Sequence, residues 1–285
     1  MSREYYYQDL VDALHEVGIQ QNDLVCFHIA LDRIGLPLDW TRYGNPDGLL
    51  LERPAEMLLE LFSAVIPTGT ILVPAFSYSF CGKNEVFDPR STRSDVGNLS
   101  NYIIKKSLWQ RSLDPLFSYV GRGYLVDELF ENIPNTSFGH DSVSARLVSA
   151  KTKVCQLGCE GIITLIHHFE WINQAPYRFD KTFRGMMVTA TDILPVEWIY
   201  YVRVNDPRTV PDLTRLDQIA LSEGVMKRVP IGNSHISAFD LNDYFKVAQK
   251  CYDQDPFCLI KEPIPLEELE QLIREDKAKS QGVKP

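Results

Sequence analysis

Two apolar runs with a helix-sized insert between them constrain this chain most. Residues 23–31, DLVCFHIAL, and 70–80, TILVPAFSYSF, read as buried strands, the second running into a loop. Between them, 53–69, RPAEMLLELFSAVIPTG, carries apolar residues at helical spacing. Pro54 suits a first helical turn, and Pro67 and Gly69 end the helix. Strand, helix, strand predicts a parallel pair joined by a right-handed crossover. A third buried strand is expected at 153–158, KVCQLG.

Other elements fall around this unit. Helices are expected over 4–17, 98–110, 122–132, within 138–150 (Asp141 or Ser142 as N-cap), 212–223 and 240–252. Residues 81–97 are polar loop, and 111–123 read as a strand or extended segment with a turn at Asp114-Pro115. The aromatic and β-branched stretch 184–204 reads as one hairpin, and 224–239 as two short strands. The tail, about 266–285, reads as a charged, fraying helix. With no repeat and no long linker, the expectation is a single domain over 1–285. Its class is α/β: a largely parallel central sheet flanked by helices, with an antiparallel β layer added in the C-terminal half.

Composition narrows the function classes. A net charge of -9 argues against nucleic-acid binding, which needs a basic footprint. No apolar run approaches the roughly 20 residues that span a bilayer. The opening MSREYYYQDL lacks a secretory layout, so a cytoplasmic protein with no membrane partner is expected. The six cysteines form no CxxC pair and no zinc-finger spacing. In a reducing compartment they read as small buried apolar residues, with a cysteine nucleophile as the minor alternative.

The stretch 164–178, TLIHHFEWINQAPYR, carries the candidate chemistry. In a helix over 163–175, Thr164, His167, Glu170 and Trp171 share one stripe, and His168 points away from it. An imidazole accepts a proton near neutrality, and a carboxylate one turn on can fix its tautomer and steady the imidazolium. The same spacing also describes a surface His–Glu pair, which spacing alone favours. A zinc peptidase is disfavoured. HxxEH needs a histidine where Trp171 stands, and no HExxH occurs, so no metal is expected.

Several stretches in common order resemble the aminoglycoside 3-N-acetyltransferase family, CoA-dependent N-acyltransferases with their own α/β fold. FHIAL keeps His28 of the family's H-S-S-L but has Ile29 and Ala30 for its serines. VPAFSYS offers Pro74, Phe76 and Ser77, and FDPRSTRSDVG offers Phe87, Asp88, Pro89, Thr92, Ser94 and Gly97. RSLDPLFS has Asp114 where the family has histidine. Phe138, Gly139, Asp141 and Ser142 match F-G-x-D-S, and Thr164, His167, His168, Glu170, Tyr177 and Arg178 match T-x-x-H-H-x-E with a later Y-R.

The resemblance implies that His167 is the catalytic base with Glu170 as its partner, and it gives His168 no role. It implies an acyl-CoA co-substrate near His28, Ser77, Arg93, Ser94, Gly97 and Ser142. Arg90, Arg93 and Ser94 near a helix start are the expected phosphate cradle; plain N-capping by Ser94, Asp95 and Ser142 is the alternative. Ser77 and Thr164 are the oxyanion donors to consider, unless they bond backbone. Tyr78, Asp114, Thr164, Trp171, Tyr177 and Arg178 are expected at the acceptor. That acceptor is expected to be an amino sugar, in particular a dTDP- or UDP-linked one of surface polysaccharide synthesis. An aminoglycoside is the alternative, and an inactive binding subunit is the rival of another class. The 184–204 hairpin is the expected homodimer contact.

Overall fold

The computed structural model describes residues 4–82, 85–161 and 163–280. In chain order its elements are α1 (Tyr7–Glu16), β1 (Leu24–Ile29), α2 (Leu31–Ile34), α3 (Arg53–Val65), β2 (Thr70–Pro74), β3 (Val86–Phe87), α4 (Asn98–Lys106), β4 (Gln110–Arg111), β5 (Tyr119–Arg122) and α5 (Val126–Phe130). There follow α6 (Val143–Ser149), β6 (Lys153–Leu157), α7 (Ile166–Ile172), β7 (Arg178–Val188), β8 (Ile193–Arg203), α8 (Thr214–Ser222), β9 (Met226–Ile231), β10 (Ser234–Asp240), α9 (Leu241–Tyr252) and α10 (Leu266–Ser280). No helix among the described residues is long and apolar enough to cross a membrane.

A seven-stranded sheet runs β4-β5-β2-β1-β6-β10-β9, and a three-stranded sheet runs β3-β7-β8. β1 pairs in parallel with β2 (Val25 opposite Ile71) and with β6 (Cys26 opposite Val154). This is the crossover unit read from the sequence, with α3 as the link. β5 and β10 add antiparallel partners on either side of the parallel centre, so the sheet is mixed.

Burial explains the continuous apolar strands. Alternate residues face opposite sides of a strand. Leu24 and Cys26 of β1 enter one core cluster with Leu72, Val154 and Phe169. Val25 and Phe27 enter another with Ile71, Cys155 and the inner stripe of α3. That stripe is Met57, Leu58, Leu61, Phe62 and Val65, and Phe62 stacks on Phe27 at 4.2 Å between centroids. Each such side chain contributes about 1.5–3 kcal/mol on burial.

One expectation is corrected, and two segments are drawn in more detail. The turn read at Asp114-Pro115 is present and is followed by β5, which pairs antiparallel with β4 (Gln110 opposite Gly121). The Asp114 carboxylate makes the turn, accepting from Leu116 N and Phe117 N at 2.8 and 2.9 Å. The hairpin begins at Arg178 rather than 184, with Arg178 opposite Arg203. The charged tail forms the helix α10, and Leu269 near its start is buried with Ile264, Ile260, Tyr177 and Phe179 in a third cluster. Residues 281–285 lie outside the described residues.

Candidate active site

α7 starts nine residues beyond the end of β6, and its i,i+3 spacing brings His167 and Glu170 onto one face. His167 Nδ1 lies 2.6 Å from Glu170 Oε2, and the two side chains are 13% and 1% exposed. The tautomer that donates Nδ1–H to the carboxylate leaves Nε2 as the lone-pair nitrogen. No described residue hydrogen-bonds to Nε2. A turn at the end of α7 brings the chain back as β7. Tyr177 donates its hydroxyl to Glu170 Oε1 at 2.8 Å, and Arg178 Nε lies 2.8 Å from Glu170 Oε2. Burial alone would raise the Glu170 carboxyl, but Arg178 and His167 outweigh it and hold it down to about 2. Burial and then Arg178 lower the proton affinity of His167, and Glu170 pulls the other way.

An aromatic row stands beside this base. The Phe138 ring meets the His167 ring edge-on at 5.3 Å. Phe117 and Tyr200 follow, 4.8 Å apart, and the half-exposed Tyr78 meets Phe117 at 6.0 Å. His168, off the His167 stripe, is buried, with Nδ1 2.7 Å from the Phe138 carbonyl. It therefore fixes the segment that carries Phe138. Sequence reasoning missed this, although Phe138 sat in a quoted motif; nothing marked Tyr200 within the aromatic run of β8.

A cavity of about 1110 Å³ opens where β1 and β2 end and α4 begins. Ligands in open α/β sheets bind at the carboxyl ends of strands. His28, Tyr78, Gly97 and Thr164, all expected at the site, line it. Gly97 caps α4 with φ 79, a backbone conformation that favours glycine, and as N-cap it gives the helix N-terminus no side-chain hydrogen bond. Lys105 and Arg33 also line the cavity, and no motif announced them. Lys105 is tied to Glu52 at 2.8 Å. An exposed N-terminus, two cations and an apolar wall that includes Ile29, Ala30 and Leu58 match the chemistry of a CoA thioester. Cys159 lines it too, but burial pushes its thiol up to about 11, away from a thiolate nucleophile.

Other expected residues have different work. Ser77 is buried and donates to the Pro115 carbonyl at 2.9 Å, so it is not an oxyanion donor. Ser94 folds its hydroxyl onto Val96 O and N, and Ser142 caps α6 through Ala145 N. Neither faces the cavity, and neither does the exposed Arg93. Asp114 is buried with Ser137 and Trp198 beside it; burial raises its carboxyl to about 6 against those bonds. Trp171 packs against His140 and His168 and does not line the cavity. Tyr177 and Arg178 are buried on Glu170 instead of facing an acceptor. Among the described residues no cluster of three or more His, Cys, Asp or Glu is placed to hold a metal ion.

His167 itself is not among the residues that line this cavity; Thr164, one turn before it, is. A parallel βαβ centre with a carboxylate-held imidazole next to that wall has the parts of an α/β enzyme of the group-transfer class. The family follows from a match over residues 48–253: the chain belongs to the aminoglycoside 3-N-acetyltransferase family, acetyl-CoA-dependent N-acetyltransferases.

Solved structures share the fold. A binary complex of AAC-IIIb with CoASH has 20% identity and a TM-score of 0.72, covering 92% of this chain and 100% of that one. A histidine-to-alanine mutant of AAC(3)-IVa in complex with gentamicin has 19% identity and a TM-score of 0.70, covering 94% and 95%. YokD from Bacillus subtilis has 16% identity and a TM-score of 0.70, covering 89% and 95%. No curated protein matches in sequence.

Proposed function

We propose that this protein transfers an acetyl group from acetyl-CoA to the amino nitrogen of an amino sugar. The observation that carries the reading is His167, with Nδ1 held by Glu170 and Nε2 without a partner among the described residues. An ammonium must lose a proton before its nitrogen can attack a thioester. That first proton goes to solvent; as the free amine forms the N–C bond, His167 Nε2 takes a second proton from the attacking nitrogen, the C–S bond breaks, and this second proton passes from Nε2 to the departing sulfur. Thr164, lining the cavity one turn before His167, is the side-chain hydroxyl to donate to the developing oxyanion. The α4 N-terminus, Lys105 and Arg33 would hold the phosphates. No protein nucleophile is required.

Aminoglycosides are the amino sugars to test first, because the related AAC(3)-IVa mutant structure is a complex with gentamicin. A second reading, a dTDP- or UDP-linked amino sugar, is favoured by the aromatic row of Tyr78, Phe117 and Tyr200, on which a base can stack. Thiol release from acetyl-CoA, assayed with gentamicin, sisomicin and UDP- and dTDP-linked amino sugars, separates the two. Absence of turnover with every amine would remove the enzymatic reading and leave a binding subunit.

A further inference from the structure

Three polar groups converge on one buried point. Glu170 Oε2 lies 2.6 Å from His167 Nδ1 and 2.8 Å from Arg178 Nε. A terminal nitrogen of the same guanidinium, Nη2, lies 2.8 Å from that Nδ1, and the other, Nη1, donates to the Tyr201 carbonyl at 2.9 Å. Carboxylate and guanidinium are each 1% exposed. In so enclosed a place net charge is costly.

The charge state of lowest cost is therefore decided by the third member. With Arg178 present, carboxylate and guanidinium cancel, and the imidazole is neutral at zero net charge. A buried His–Glu pair without the guanidinium reaches zero net charge only with one more proton, either as carboxylate and imidazolium or as a carboxylic acid donating to Nδ1 with the ring hydrogen on Nε2. That pair would rest protonated, with no lone pair to offer. Nδ1 bears one hydrogen or one lone pair, so while it donates to Glu170 it accepts nothing from Arg178. The guanidinium then acts on the ring through its charge. The remaining neighbours do not reverse this. Arg203 of β8 adds a cation, and burial keeps the phenols of Tyr200 and Tyr201 in β8, Tyr252 in α9 and Tyr177 just before β7 protonated. Phe138, from the segment before α6, presents an apolar ring.

We infer that Arg178 is a positioning residue that keeps His167 an unprotonated base between turnovers and presses it to release the proton it takes during one. This rests on the acyl-transfer reading for its second half only. There the proton gained from the amine leaves Nε2 for the sulfur as the C–S bond breaks. The first half concerns the resting protein.

The test is a histidine-ring NMR titration of the full chain, with the His167 signal assigned by its loss in His167→Asn. In the wild type the midpoint is expected below the free imidazole value of about 6.5. In Arg178→Gln proton affinity is expected to rise roughly tenfold or more, while Arg178→Lys stays near wild type. The acid limb of kcat/KM, measured with acetyl-CoA and whichever amino sugar turns over, should move with the midpoint. A wild-type midpoint above that of free imidazole overturns the inference even if Arg178→Gln does not fold. An unmoved or lowered midpoint in Arg178→Gln overturns it as well. Because the titration needs no turnover, a protein inactive on every amine can still support the role of Arg178, and an active one can still refute it.

Discussion

His167 has one ring nitrogen held by Glu170 and the other without a partner among the described residues, which is what a base needs before it meets its substrate. His167→Ala is expected to lower kcat by roughly 10²–10⁴ and to leave CoA binding, measured by calorimetry, nearly unchanged. An unaltered kcat would remove the base assignment. The i,i+3 spacing made this pair legible, since helix geometry alone brings the two side chains together. The roles of Tyr177 and Arg178 were not legible. Their contact with Glu170 depends on the turn after α7 that folds β7 back over the helix, and no local period encodes that return. Asp114 shows the same limit. A carboxylate in place of a histidine invites a substrate role, yet its bonds to Leu116 N and Phe117 N make it a turn device. Asp114→His is therefore expected to break the β4–β5 turn rather than to change amine preference.

The N-terminus of α4 and the ends of β1 and β2 form the cavity, so its binding strength should respond to charges on those elements. Lys105→Ala is expected to raise KM for acetyl-CoA roughly two- to fivefold with kcat unchanged, an effect that fades at high salt. Glu52→Gln, which frees Lys105 and Lys106 from their ion pairs, is expected to move KM the other way. Steady-state kinetics at two ionic strengths checks both. The βαβ unit was readable because strands buried on both faces write themselves as unbroken apolar runs. β3 was not, because it has only two residues and exists through its partner. Met186 N donates to the Glu85 carbonyl at 2.9 Å. A side chain at Gly185 would come within 2.5 Å of both that carbonyl and the Phe80 ring. A lone glycine in a strand pattern is the only trace such an approach leaves in a sequence.

Across the molecule, buried imidazoles set the response to acid. Burial lowers His28 to about 4, and it also lowers His168, His235 and His167. In each, the folded state binds protons less readily than the unfolded chain, so stability is lost as pH falls below the unfolded value of 6.5. For His28 the loss continues to about 4 and is of order 3 kcal/mol. Glu170, held down to about 2 from 4.5, adds its own loss only below 4.5. Urea unfolding from about pH 8 to about pH 5 should show a falling midpoint once below about 6.5, ahead of carboxylate protonation. A flat profile would contradict it. The net charge of -9 foretold none of this, because it averages over a surface and the effect comes from the interior.

Tyr177 shares its apolar cluster with Ile264 and Leu269, so the last helix braces the carboxylate from the far end of the chain. A protease that cut the exposed segment around Lys261 would leave every reacting group intact. It would nonetheless cost activity, because the strut behind Tyr177 could then swing away. Trypsin nicking followed by mass spectrometry and a turnover assay would show silence spreading inward from a scissile bond that touches no substrate.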